Sequence, residues 1–324
     1  MSEQMEELGF KSIEESLETL LRGDDGDLDA YLLGIGSQVD IADTKAKVHC
    51  YVVTHDGNDR PRVKDLARAV AARVLDYAIP RSELQKAHEQ MVSNKSTAKF
   101  VELVVKAKKL FSDAPKSGEG GEMLLYMLAQ AKLRLPQVLC KMSLKTNSRL
   151  HYNGADALHM SYDKTEDKLA LYWGEAKLYG SVSEAIRECL DSIGPFLCDD
   201  GGTDARQSRD LELLSGYLDL GDSELEEALI RYLDPDDPMF NKLQYRGVCL
   251  VGFNESAYPG ETESKKHQEV ISSVEAAFSN WQLQIGRNLR SRSPLHDFHM
   301  EIFLVPFPSV SKYREYFLGE INHG

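Results

Sequence analysis

Leu169-Ala-Leu-Tyr-Trp-Gly-Glu-Ala-Lys177 is an apolar strand that ends in charge, and Asn153-Gly-Ala-Asp156 opens a second strand-like run just upstream of it. Side chains alternate faces along a strand, so Leu169, Leu171, Trp173, Glu175 and Lys177 share one side. In the upstream run, Asp156, Leu158, Met160 and Tyr162 share a side. A hairpin turning around Asp163–Lys168 matches the two apolar faces best when Met160 pairs with Leu171. That register sets Asp156 across from Glu175, with Cβ atoms about 5 Å apart.

Two carboxylates at that separation repel each other unless a cation lies between them. Asp156 and Glu175 supply the hard oxygen donors that suit Mg²⁺ or Mn²⁺. Lys177, on the same face, can orient an attacking water or neutralise charge growing on a phosphate. The set therefore fits metal-dependent phosphodiester hydrolysis. Glu122, at the start of the preceding helix, is the candidate third carboxylate. An acid in a first turn also stabilises the helix by about 0.3–1 kcal/mol, so capping is its competing role. A Glu-x-Lys pair on an isolated strand is ordinarily a solvated face. Here it continues the stripe Leu-x-Leu-x-Trp, where charge needs a reason. His151 and His159 stand without a His-x-x-x-His or Cys/His cluster, which argues against zinc.

Working outward, the 324 residues suffice for one large domain or two small ones, and 42% hydrophobic content supports a core. No apolar run approaches the roughly 20 residues that span a bilayer, and the acidic first residues lack a signal-peptide pattern. Cys50, Cys140, Cys189, Cys198 and Cys249 are scattered and odd in number, as expected of reduced thiols in a cytoplasmic protein. The net charge of −14 is uneven. Residues 1–29 hold ten acids against Lys11 and Arg22, and residues 199–237 hold thirteen acids against three arginines. Between them, residues 132–149 carry Lys132, Arg134, Lys141, Lys145 and Arg149 and no acid. Screening confines exposed charge to about 8 Å, so such a strip can meet DNA phosphates on an acidic protein. The acidic blocks face solvent or a basic partner.

Along the chain, Lys45–Thr54 reads as a strand and residues 62–112 as helices broken at Pro80 and Ser93-Asn94. Residues 113–121 form a Gly/Pro/Ser linker, which divides an α-rich N-terminal region, 1–113, of one or two strands plus helices, from a second domain, 114–324. In the latter we expect a helix over 122–134 with Met123, Leu124, Met127, Leu128 and Ala131 as its apolar face. A weak strand over 138–145 and the hairpin follow. A helix capped by Ser181 or Ser183 runs to about 197, and 199–237 is an acidic helical insertion. A buried strand at 245–253, a helix within 263–292, a strand at 298–307 and a last helix at 310–320 complete the reading. The glycine runs at 118–121 and 201–202 lack the Gly-Lys-Ser/Thr of a phosphate-binding loop.

The chain resembles the HamA family, nuclease subunits of the bacterial Hachiman anti-phage defence system. The resemblance rests on Gly121-Glu122 opening a helix, Leu144-Lys145 before Asn153-Gly-Ala-Asp156, Trp173-Gly-Glu-Ala-Lys177-Leu, and the serine-capped helix after it. It covers residues 115–200 well and the flanks by layout. It implies a restriction-endonuclease-like PD-(D/E)xK fold, α/β (α+β), with a central mixed sheet flanked by helices. Ala155 stands where that signature has proline. It further implies a metal-dependent nuclease that degrades DNA, with Asp156, Glu175, Lys177 and Glu122 as its site. Its partner would be an ATP-using superfamily-2 helicase, HamB, which restrains it, and the acidic segments would be docking surfaces. The competing reading is a non-catalytic adaptor of the same fold that recruits the helicase to DNA.

Overall fold

A computed structural model of the protein describes residues 12–24, 26–111, 114, 117–144, 154–198, 206–260 and 263–323. Its strands are β1 (Leu32–Asp40), β2 (Ala46–Val53), β3 (Ala157–Asp163), β4 (Lys168–Tyr179), β5 (Leu243–Asn254) and β6 (Met300–Phe307). They form one mixed sheet in the order β1-β2-β6-β5-β4-β3. The block β4, β5, β6 and β2 is parallel, and β3 and β1 close its edges antiparallel. The expected mixed sheet flanked by helices is thus present. The sheet crosses the 113/114 boundary, because β2 pairs with β6 from Ala46↔Met300 to Cys50↔Leu304.

The helices are α1 (Ile13–Glu18), α2 (Val63–Ala71), α3 (Val74–Ala78), α4 (Arg81–Asn94), α5 (Ala98–Lys109), α6 (Glu119–Leu133), α7 (Val182–Leu197), α8 (Arg206–Tyr217), α9 (Ser223–Leu233), α10 (His267–Arg290) and α11 (Val310–His323). Parallel strands require crossovers, and helices supply them here. The connection from β4 to β5 runs through α7, α8 and α9, and that from β5 to β6 through α10. Helix α7 packs on β4 and β5 and is joined there by α10, while α6, α2 and α11 pack together beside β4 and β5. Helix α1 lies near the edge strand β3, whose outer backbone groups are partly taken by residues 136–138: the Val138 N–H donates to the Leu158 carbonyl at 3.0 Å and the Met160 N–H to the Pro136 carbonyl at 3.3 Å.

Ser181 caps α7 by accepting the Glu184 N–H at 3.2 Å. Helix α6 differs from the one-faced helix expected: Leu125 and Tyr126 are buried alongside Met123 and Leu124. Its second face is covered by elements distant in sequence. Tyr77 of α3 packs edge-on against Tyr126, with ring centroids 5.4 Å apart, and Tyr313 of α11 donates to the Gly120 carbonyl at 2.8 Å. Arg134, at φ 52°, ends α6 in the left-handed region. The weak strand expected over 138–145 is instead a single bridge, Gln137↔His159, followed by a 3₁₀ turn at Lys141–Leu144. Strand β1 went unread in the sequence. Its pairing with β2 shifts register between Gly34 and Gly36 and again before Val39, so no simple alternation survives.

Candidate functional site

The β3–β4 hairpin has the register that face matching predicts, with Met160 opposite Leu171 and the ladder ending at Ala157↔Gly174. Strand β4 runs on to Tyr179 past that last pair, so its outer edge opens where Glu175 and Lys177 lie. On its other side β4 stays paired with β5, Glu175 opposite Cys249 and Lys177 opposite Val251. The first backbone group beyond the ladder is taken by a side chain: Asp156 Oδ2 accepts the Ala176 N–H at 2.9 Å. The Asp156 N–H in turn donates to the Gly174 carbonyl at 2.9 Å. Gly174 is required by the closeness of this crossing, since a Cβ there would stand 2.9 Å from that of Ala157.

Alternation along β4 gives its two faces different neighbours. Ala176 and Leu178 lie beneath Gly121 of α6. Trp173 faces α7, stacked on Phe196 with centroids 6.4 Å apart and edge-on to Tyr245 at 4.9 Å. Glu175 follows on that face with only 5% of its surface exposed, and its Oε1 is ion-paired with the Lys177 Nζ. Burial and the nearby Asp156 charge push the Glu175 carboxyl up to about 7, against the pull of Lys177 and Lys141. Burial lowers the Lys177 ammonium, but Asp156 and Glu175 outweigh it and hold that group above its ordinary value. Lys177 is therefore a cation held at the mouth of the site, and Glu175 a carboxyl poised to gain or lose a proton near neutrality.

Glu122 sits in the first turn of α6 and accepts a hydrogen bond from the buried Tyr77 hydroxyl at 3.2 Å. Burial raises the Tyr77 phenol, and the charges of Glu122, Asp156 and Glu119 raise it further. Asp156 thus acts on Glu175 and on the Tyr77–Glu122 pair. The structure brings Asp156, Glu175 and Lys177 together and links Glu122 to them through Tyr77. Among the described residues, no three His, Cys, Asp or Glu side chains converge tightly enough to hold a metal ion as they stand. The donor chemistry of Asp156 and Glu175 nevertheless fits a divalent cation: both are carboxylates, and they repel each other in a partly desolvated place.

The basic strip divides. Lys141 is a correction: it is 7% exposed, and its ammonium points inward to Asp210 at 3.0 Å and to the Ala155 carbonyl at 2.5 Å, rather than toward a phosphate. Lys132 pairs with Asp29 at 2.5 Å, and Arg134 lies 3.6 Å from Glu18. Lys145, Arg149 and His151 lie outside the described residues. His159 is buried, with Nδ1 2.8 Å from the Leu135 carbonyl, and burial lowers it to about 4. It is neutral in the core and takes no part in the site. Asp210 and Tyr77 escaped the sequence reading. Asp210 had one signal, for it lies one helical turn before Leu214 on an apolar stripe.

Fold and site together define an α+β protein whose mixed sheet carries a carboxylate–lysine constellation at the open end of a parallel strand. The chain belongs to the HamA family, whose profile matches residues 35–321. It is accordingly a component of Hachiman antiviral defence. No curated protein matches it. No helix among the described residues is long and apolar enough to cross a membrane.

Proposed function

We propose that this HamA-family chain is the nuclease effector of its defence system, a metal-dependent deoxyribonuclease that works with a HamB-like superfamily-2 helicase and is restrained by it. The observation that carries the reading is Glu175: a buried carboxyl raised to about 7 beside Asp156, ion-paired with Lys177 at the end of β4. Perturbed, interacting groups of this kind are more characteristic of reacting sites than of scaffolds.

Asp156 and Glu175 would hold a Mg²⁺ or Mn²⁺ ion, with Glu122 approaching through the Tyr77 side. When bound, such an ion supplies positive charge to the scissile phosphate and favours ionisation of the attacking water. Lys177 adds a fixed cation where negative charge grows in the transition state, and it carries no reorganisation cost because Glu175 already holds it. Its side chain is 23% exposed, so a phosphate can reach it from solvent. Ionised Glu175 is the competent form, and burial keeps it near the proton-exchange point at neutral pH.

The test is plasmid degradation by the purified chain, with and without its helicase, in Mg²⁺ or EDTA. Mg²⁺-dependent cutting that Glu175→Ala and Lys177→Ala each abolish, with the fold and the helicase complex retained, is the expected result. Normal cutting by both variants would remove the site assignment. No cutting by the wild type under any condition, with DNA binding retained, would favour the adaptor reading.

A further inference from the structure

The peptide immediately before Asp156 is gripped from several directions by elements far apart in sequence. The Ala155 N–H donates to Asp210 Oδ2 at 3.2 Å, and the Ala155 carbonyl accepts from Lys141 Nζ at 2.5 Å. Lys141 and Asp210 are themselves an ion pair at 3.0 Å. The next N–H, that of Asp156, donates to the Gly174 carbonyl. Both ends of the Ala155–Asp156 peptide plane are therefore tied, one to a buried charge pair and one to β4. Asp210 is fully buried, and it comes from α8 in the acidic segment between α7 and α9. Helix α8 is itself fixed to α7: Gln207 Nε2 donates to the Phe196 carbonyl at 2.9 Å.

A buried charge pair costs desolvation and is a poor source of stability by itself. Its position against one backbone unit gives it another use. We propose that Lys141 and Asp210 are positioning residues, a clamp on Ala155 that sets the Asp156 carboxylate against Glu175 and Ala176, so that α8 is part of the scaffold of the metal-binding carboxylates. The proposal rests on the nuclease reading, in which Asp156 and Glu175 bind a divalent cation. Groups that orient metal ligands typically contribute 10- to 100-fold to metal affinity.

The decisive measurement is Mn²⁺ binding to the full-length chain, by calorimetry or by the electron paramagnetic resonance of free Mn²⁺, beside thermal unfolding. The double variant Lys141→Met/Asp210→Leu removes both charges and the grip on Ala155. It is expected to fold, because apolar groups of similar size replace buried ion pairs well. The clamp predicts that it binds Mn²⁺ about tenfold more weakly than the wild type, or worse. A purely structural pair predicts unchanged affinity whatever the melting temperature does, and that result overturns the proposal. Should the double variant not fold, Lys141→Met/Asp210→Asn takes its place: it loses the grip on the Ala155 carbonyl while the amide oxygen still serves the Ala155 N–H, and wild-type affinity there overturns the proposal equally. Glu175→Gln separates the two layers of argument. If it loses Mn²⁺ while the clamp variants keep it, only the clamp falls. If it too binds Mn²⁺ like the wild type, the carboxylate site falls and takes the clamp with it.

Discussion

Asp156 Oδ2 accepts the backbone N–H of Ala176 at 2.9 Å, so a side chain from the loop before β3 continues the hydrogen-bond ladder of β4 past the point where β3 has ended. Burial raises the neighbouring Glu175 carboxyl, and the charge of the same Asp156 carboxylate raises it further. One group thus has two duties, closing a strand edge and setting the charge state of the site, and substitutions can separate them.

Asp156→Asn keeps an oxygen for the Ala176 N–H and loses the charge. It should fold normally, lower the Glu175 carboxyl toward its usual range, and abolish cutting. Asp156→Ala leaves the Ala176 N–H without this acceptor and should cost about 1–3 kcal/mol more in denaturant unfolding. Equal stability of the two variants would show that the ladder contact contributes nothing.

Glu175→Gln tests the electrostatics through stability. In the unfolded chain this carboxyl ionises near 4.5, in the fold only at about 7. Between those values the folded protein keeps a proton that the unfolded one has lost. The contribution is therefore fully present below the lower value and is lost as pH rises through the upper one. At about 1.4 kcal/mol per unit, the loss reaches roughly 3 kcal/mol. Glutamine escapes it. In EDTA, the Glu175→Gln chain should match the wild type in acid and exceed it by roughly 3 kcal/mol above about pH 8. Unfolding curves at the two extremes decide the matter, and a constant difference between them would mean that Glu175 is not perturbed.

The face argument that located the site also predicts its cost in packing. Trp173 is wholly buried on the α7 side of β4, two residues before Glu175, between Phe196 and Tyr245. Trp173→Ala should lower stability by about 3–5 kcal/mol, whereas Trp173→Phe, which retains most of the apolar contact, should lose far less. Equilibrium unfolding of both variants at one pH is sufficient. A small loss for Trp173→Ala would mean that this face of β4 is not packed core.

These faces were readable because period-two alternation needs only neighbours in sequence: Leu169, Leu171 and Trp173 locate Glu175 without knowledge of the rest of the chain. The apolar runs of β5 and β6 were readable for the same local reason. What depended on distant partners was not. Strand β1 contains Gly34, Gly36 and Ser37 and two register shifts, so its pattern appears only once β2 lies beside it. Helix α6 showed one apolar face, since Tyr77 and Tyr313 complete its burial from remote segments. Lys141 read as a surface cation because its counter-charge, Asp210, lies 69 residues later. Counting charge along the sequence treats both as solvated, and only the fold brings them together.

In the proposed nuclease, affinity for a divalent cation should follow the protonation of Glu175. A carboxyl that holds its proton up to about 7 cannot serve as a metal ligand below that value without releasing it. Protons and metal therefore compete, and apparent affinity should fall about tenfold for each pH unit below the transition while levelling off above it. Calorimetric titration with Mg²⁺ or Mn²⁺ in buffers of different ionisation enthalpy reads this directly, because binding near neutral pH should release a fraction of a proton that diminishes as pH rises. The Glu175→Gln chain has no such proton to release and should show weak, pH-independent binding over the same range. Wild-type affinity that stays flat between about pH 5.5 and about pH 8 would exclude Glu175 as a ligand, since no carboxylate with this ionisation can bind a cation without the linkage.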